Sequence, residues 1–93
     1  MPFVFVLPGA LREFAGGRSE VTVGGAARTA REALALLWAE CPGARDRVLT
    51  ERGDVRVHIN IFADGENIRH HGGLEAPVRD GSEIIILPAV SGG

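Results

Sequence analysis

The sequence contains no lysine and a single cysteine, Cys41, among its 93 residues. One cysteine cannot close an internal disulfide, ligate an iron–sulfur cluster or supply a cysteine-rich zinc site. Without lysine the chain has no GxxxxGK[ST] phosphate-binding loop, no amine for a Schiff base and no side-chain amine on which it can itself be modified. These absences exclude several classes of metalloprotein, nucleotide-binding protein and covalent catalyst.

Long apolar runs and an excess of basic charge are also missing. No segment approaches the ~20 apolar residues of a membrane span, and the amino end lacks the regions of a signal peptide. The net charge is −2, and the ten basic residues, all arginine, are scattered along the chain. We therefore expect a cytoplasmic protein that binds neither membrane nor nucleic acid. A hydrophobic content of 45% over this length predicts one globular domain, 1–93.

Two short segments, Phe3 to Leu7 and Glu83 to Leu87, are apolar on both faces. This pattern predicts two strands at the centre of a sheet. We expect them to lie side by side and parallel in the middle of one sheet. Between them, Pro8 to Arg18 is predicted to be a loop with one helical turn, and Glu20 to Val23 a second strand.

The main helix is predicted from a capping box, Thr29-Ala30-Arg31-Glu32, in which each side chain satisfies a free backbone amide. An apolar stripe then recurs at helical spacing until Pro42-Gly43 ends the segment. Ala44 to Glu51 is expected to add a short second helix. The residues of the stripe are Ala30, Ala33, Leu34, Leu37, Trp38 and Cys41.

The remaining strands come from an alternating pattern over Val55 to Ala63 and a short edge segment, Glu66 to Arg69. The alternation predicts Val55, Val57, Ile59 and Ile61 on the core face and Arg56, His58, Asn60 and Phe62 on the other. The order strand, strand, helix, strand, strand predicts an α+β protein of the β-grasp (ubiquitin-like) type. Its mixed sheet of four to five strands would pack against one main helix.

The carboxyl end carries the most distinctive chemistry, because Gly92-Gly93 follows a buried strand and Pro88, which cannot donate a sheet hydrogen bond. We expect strand pairing to stop at Pro88 and residues 88–93 to form a flexible tail that can reach about 20 Å. Glycines lack a Cβ, so the tail could thread a narrow partner channel. The α-carboxylate of Gly93 is the predicted functional group.

The second half of the chain carries short motifs that run Val57-His58-Ile59-Asn60-Ile61, Asp64-Gly65-Glu66, Gly72-Gly73-Leu74, Asp80-Gly81 and Ile86-Leu87-Pro88-Ala89-Val90-Ser91-Gly92-Gly93. In these motifs the sequence resembles the ubiquitin-like sulfur-carrier proteins of the ThiS/MoaD family, most closely the CysO-like branch. The first half resembles the family only in element order and in the Leu11 to Gly17 loop. Ser91 departs from the alanine that is commoner in the branch.

The resemblance implies a carrier cycle that needs no bound cofactor. A ubiquitin-activating-type (MoeB/ThiF-like) adenylyltransferase would use ATP to adenylate Gly93, and a sulfur donor would convert the adenylate into a thiocarboxylate. In the CysO-like branch the acceptor is an activated serine derivative held by a PLP-dependent cysteine synthase, and a metallopeptidase releases the product. The chain would then act as a co-substrate of these enzymes.

Three alternatives stay open on the sequence. The chain could be a MoaD-like small subunit of molybdopterin synthase, or a modifier joined through Gly93 to lysines of target proteins. A standalone enzyme is disfavoured, because no nucleophile with an adjacent base, no paired carboxylates and no metal constellation can be assembled.

Several other residues have side chains or positions that could serve a function. Phe62 and Asn60, on the outer face of their strand, are predicted to form a partner-docking surface with the tail residues Pro88, Ala89, Val90, Ser91 and Gly92. The ordinary structural interpretation is preferred for the rest. Gly72-Gly73 reads as a turn, His70-His71 as a solvated pair without a metal, His58 as a sheet-face residue, and Cys41, Trp38 and Leu37 as core.

Overall fold

The computed structural model describes residues 1–89, which form a five-stranded mixed sheet with helices on one face. The strands are β1 (Phe3–Val6), β2 (Glu20–Val23), β3 (Ile59–Ala63), β4 (Glu66–Asn67) and β5 (Glu83–Pro88). The helices are α1 (Ala30–Glu40) and α2 (Arg45–Val48), and 3₁₀ segments span Gly9–Ala15, Pro42–Ala44, Ile68–His71 and Gly73–Glu75. The strand order β2-β1-β5-β3-β4 confirms the predicted β-grasp.

The two strands that are apolar on both faces occupy the centre of the sheet. β1 and β5 pair in parallel, with Phe5 opposite Ile84, as the burial argument predicted. β1 also pairs with β2 and β5 with β3, both antiparallel. Phe5, Ile84 and Ile86 are fully buried on the inner face, under the helices. The sheet is therefore anchored by its first and last strands.

α1 begins where the capping box predicted, with one difference in the bonding. The backbone N–H of Glu32 donates to Oγ1 of Thr29 over 3.2 Å. The carboxylate of Glu32 accepts from the N–H of Arg28, one residue earlier than the cap itself. The inner stripe of the helix is buried, with Trp38 only half-buried at its margin. Cys41, the residue after the helix, is fully buried.

The strand predicted over Val55 to Ala63 is shorter than its alternation suggested. β3 starts at Ile59, and Val55 forms only an isolated bridge with Leu49. A turn closed by the N–H of Ile59 and the carbonyl of Arg56 separates the two pieces. Val57, predicted to be core, is 87% exposed. The alternation failed because a turn displaces this residue from the sheet's inner face.

The carboxyl-terminal ends of β4 and β5 differ slightly from the predictions. β4 stops at Asn67, because its side-chain oxygen accepts from the N–H of Arg69 and starts a 3₁₀ turn in place of the expected strand. Pro88 does not end the pairing, since it lies opposite Ile59 and Ala89 still donates to the carbonyl of His58. Within residues 1–89, no helix has both the length and the apolar character needed to cross a membrane.

Candidate functional site

The carboxyl-terminal end of β5 fixes the point from which the predicted tail departs. Ile59 stands opposite Pro88, and the N–H of Ala89 donates a 2.6 Å hydrogen bond to the carbonyl of His58. β5 pairs with β1 as far as Ile85 and with β3 as far as Pro88, so β3 holds the strand at this exit point. Val90, Ser91, Gly92 and Gly93 lie outside the described residues, so their predicted roles stay predictions.

The face of the sheet turned away from the helices carries an apolar patch. Strand alternation and register place its members side by side on β1, β5 and β3. None of them is fully buried, and Leu87 is 43% exposed. This outer-face patch consists of Val4, Val6, Phe62, Ile85 and Leu87.

The two predicted docking residues of β3 lie within or beside this patch. Phe62 is opposite Ile85 and Asn60 is opposite Leu87, so both are cross-strand neighbours of the strand that leads into the tail. Asn60 accepts a long, 3.5 Å hydrogen bond from the side chain of Asn67. The structure thus places Asn60 beside the end of β5 and Phe62 beside its middle. Their role in docking remains a prediction.

A second group of residues lies near the tail exit and was not predicted from the sequence to form a site. A shallow groove of about 580 Å³ is lined by Phe14, Arg47, Arg56 and His58, among others. The exposed Val57 lies in the turn between Arg56 and His58. No sequence pattern brings these residues together, because they come from three separate segments.

Other candidates behave as ordinary structural residues. Gly72 and Gly73 have φ angles of 101° and 66°, the left-handed conformation that a turn of this kind requires. Cys41 is buried at the end of α1, as expected of a small core residue. Nε2 of His71 lies 3.2 Å from a carboxylate oxygen of Glu66 on the surface.

Comparison with known proteins places this geometry in context. The model of the ThiS family matches residues 5–93. The sulfur carrier protein CysO of Mycobacterium tuberculosis (strain ATCC 25618 / H37Rv) is 33% identical over 89 residues, which cover 94% of this chain and 94% of that protein. The match thus extends over both halves of the sequence.

Solved structures give the same picture for the fold. A chain in the crystal structure of the Amycolatopsis orientalis BexX/CysO complex has a TM-score of 0.85 and 34% identity, covering 98% of this chain and 99% of that chain. SAMP1 from Haloferax volcanii has a TM-score of 0.80 and 30% identity, with full coverage of both chains (100% and 100%). The β-grasp is shared with a sulfur carrier and with an archaeal protein modifier.

Proposed function

The chain belongs to the ThiS family, and from this premise we propose that it is a sulfur carrier whose Gly93 carboxylate is adenylated and then converted into a thiocarboxylate. The CysO relative is named a sulfur carrier protein and is similar along almost its whole length. The family match also extends to residue 93. The chain supplies the reacting group, and partner enzymes supply the catalysis.

The proposed chemistry overcomes the low reactivity of a carboxylate. An α-carboxyl group with a pKa of about 3.5 is an anion at neutral pH and a poor electrophile. Attack of the Gly93 carboxylate on the α-phosphate of ATP forms an acyl adenylate and expels pyrophosphate. Sulfur at the oxidation level of sulfide, delivered by a sulfur donor, then forms a C–S bond at the same carbonyl carbon while the C–O bond to AMP breaks and AMP leaves. The resulting thiocarboxylate is a protein-bound sulfur nucleophile.

The observation that carries the proposal is the position of β5. A tail that enters a partner's active site needs a rigid base, so that docking of the body fixes where the tail begins. β5 pairs with β1 as far as Ile85 and with β3 as far as Pro88, and its inner residues Ile84 and Ile86 are fully buried. The hydrogen bond from Ala89 to His58 extends this order to the last described residue.

The outer-face patch is the proposed docking surface for the activating enzyme. Its five apolar side chains are partly exposed, although the same alternation buries their neighbours on the inner face. Exposed apolar patches next to a functional group are typical of protein-binding surfaces. Leu87 is the patch residue nearest the tail, and Phe62 is the aromatic side chain of the patch, so these two are the expected anchors, with Asn60 beside Leu87.

The similarity to CysO favours a cysteine-type pathway for the sulfur. The acceptor would then be an activated serine derivative on a PLP-dependent synthase, followed by a metallopeptidase that releases the product. The proposed activating enzyme is an adenylyltransferase of the MoeB/ThiF type that uses ATP. The chain itself binds no cofactor in this scheme.

Intact-mass spectrometry tests the proposal. The chain is incubated with the cognate activating enzyme, ATP and a sulfur source, and a gain of about 16 Da marks the replacement of one oxygen by sulfur. A variant that lacks Gly93 is the control and should show no gain. Failure of the intact chain to be adenylated would overturn the carrier function.

A second function, conjugation to other proteins, is favoured by the similarity to SAMP1, a small archaeal modifier protein. Adenylation of Gly93 is common to both functions, so the later steps must separate them. In the same experiment, an adduct in which Gly93 is joined to a lysine of another protein, without any thiocarboxylate, would identify a modifier. The chain has no lysine, so self-linked chains cannot form through a lysine side chain.

A further inference from the structure

The groove beside the tail exit is continuous with a second one that reaches the end of β5. Arg47 and His58 line both grooves. The second groove, about 460 Å³, has a mainly apolar lining that includes Leu11, Ile59 and Pro88. A continuous concave surface therefore runs from Pro88 to the ring of Phe14, on a side of the molecule that the outer-face patch does not include.

Two cations of this surface have no acidic partner among residues 1–89. Arg47 and Arg56 form no ion pair there. Asp46, the acidic residue in the lining of the first groove, is bound at 3.2 Å by Arg45, which lines neither groove. Glu13 lines the second groove, so the surroundings are not free of negative charge. With Asp46 paired to Arg45, the charges left on the two linings are Arg47 and Arg56 against Glu13, so positive charge exceeds negative there in a chain whose net charge is −2.

Both arginines are held in place by the fold. Nε of Arg56 donates to the carbonyl of Asp46 over 2.9 Å, and its backbone N–H donates to Val48. The guanidinium carbon of Arg47 lies 5.5 Å from the ring centroid of Phe14, within the range of a cation–π contact. Such fixed cations lose little conformational entropy when they bind a carboxylate.

Val57 adds an apolar contact at the same place. It is 87% exposed, and the other large hydrophobic side chains with high exposure in the described part are Met1 and Leu87. Leu87 and Val57 both lie near the end of β5. Leu87 is two residues before Ala89, and Val57 is next to His58, whose carbonyl accepts the hydrogen bond from Ala89. Exposed apolar side chains therefore gather around the tail exit.

We propose that a surface around the end of β5 docks an acidic rim at the mouth of the channel in which the activating enzyme receives the tail. We call this surface the collar, and it consists of Arg47, Arg56, Val57 and His58. The four residues after Ala89 span at most about 14 Å when extended. An enzyme that encloses Gly93 to that depth must bring the mouth of its channel against the collar. Carboxylates on the rim would complement the charges of Arg47 and Arg56, and an apolar surface beside them would contact Val57.

The inference rests on the proposed carrier function, and its test uses variants that leave the tail unchanged. Pyrophosphate release by the activating enzyme is measured against the concentration of the wild-type chain and of Arg47→Glu, Arg56→Glu and Val57→Asp. Each variant should raise the KM for the chain about tenfold with little change in kcat, because uniform binding is lost. Arg47→Lys, which retains the charge, should have a smaller effect.

The control is Arg79→Glu, which makes the same change of charge on an exposed residue before the start of β5, at the opposite end of that strand. Its KM should match that of the wild type. The wild-type KM should also rise with salt more steeply than the KM of Arg47→Glu. Circular dichroism spectra of the variants establish that each is folded.

The outcomes distinguish failure of the carrier function from failure of docking through the collar. If the wild-type chain is not adenylated at all, the carrier function fails. If it is adenylated and the collar variants have an unchanged KM, or the control is equally impaired, the collar proposal is wrong. A lower KM for Arg47→Glu would also overturn the proposal, because it would mean that the arginines hold back the chain's own carboxylate.

Discussion

The hydroxyl of Ser82 donates a 2.6 Å hydrogen bond to Oδ2 of Asp64, joining the turn after β3 to the start of β5. The other carboxylate oxygen of Asp64 accepts from the N–H of Glu83 over 3.0 Å, and Ser82 accepts from the N–H of Arg79. Asp64 has a φ angle of 50°, and Ser82 is only 3% exposed. This network fixes where β5 begins relative to β3.

Replacing Ser82 with alanine should therefore lower the free energy of unfolding by about 1–3 kcal/mol, because the partly buried N–H of Arg79 and the Asp64 carboxylate both lose a partner. Urea denaturation at neutral pH measures the effect. Ser19→Ala is the matched control, since Ser19 is exposed and no side-chain hydrogen bond of Ser19 is found within residues 1–89. Equal stability of the two variants would contradict the structural role.

Thr29→Ala should destabilise the protein by about 1 kcal/mol, because the N–H of Glu32 loses its cap at the start of α1. Thr29→Ser keeps the hydroxyl and should retain most of the stability. The midpoint of urea unfolding is the measurement. A serine variant as unstable as the alanine variant would show that the methyl group, and not the hydrogen bond, matters at this position.

Leu87→Ala should raise the KM for the chain about tenfold in the adenylation reaction, because this exposed side chain is a predicted anchor of the outer-face patch. Its stability should change little, since the side chain is 43% exposed. Thr22→Ala, on the same face but on the edge strand β2, is the control. An unchanged KM for Leu87→Ala would remove this residue from the docking surface.

Gly43→Ala should weaken binding of the activating enzyme through the collar. A Cβ at this position would lie 2.6 Å from Cδ1 of Phe14, so the ring beneath Arg47 must move. We expect the KM to rise severalfold by steady-state kinetics. Gly24→Ala has open space around its Cβ and no left-handed backbone, and should behave as the wild type. Wild-type kinetics for Gly43→Ala would show that the position of Phe14 is unimportant.

Local signals predicted the elements whose structure depends on near neighbours in sequence. β2 has the predicted bounds, Glu20–Val23, and α1 begins at Ala30 after its Thr29 cap. β1 and β5 were placed at the centre because segments that are apolar on both faces must be covered on both sides by neighbours. The candidate tail and the docking residues Phe62 and Asn60 also came from the sequence.

The predictions failed where a contact, and not a pattern, decides the conformation. The alternation from Val55 to Ala63 is the same for a continuous strand and for a bridge followed by a turn. The hydrogen bonds of Arg56 to Val48 and Asp46 select the second arrangement and leave Val57 exposed. Similarly, the Ala89 hydrogen bond continues the pairing past Pro88, because the missing N–H of proline affects only its own position.

The sequence by itself determined that the chain forms a β-grasp, because hydrophobic periodicity, capping and turn residues act over a few positions. Only the tertiary structure decided which residues surround the tail exit. Phe14, Arg47 and His58 belong to separate segments, and packing of the Gly9–Ala15 turn and α2 around the end of β5 brings them into one surface. Residues from separate segments become neighbours only through the packing of these elements, and their spacing along the chain does not predict this.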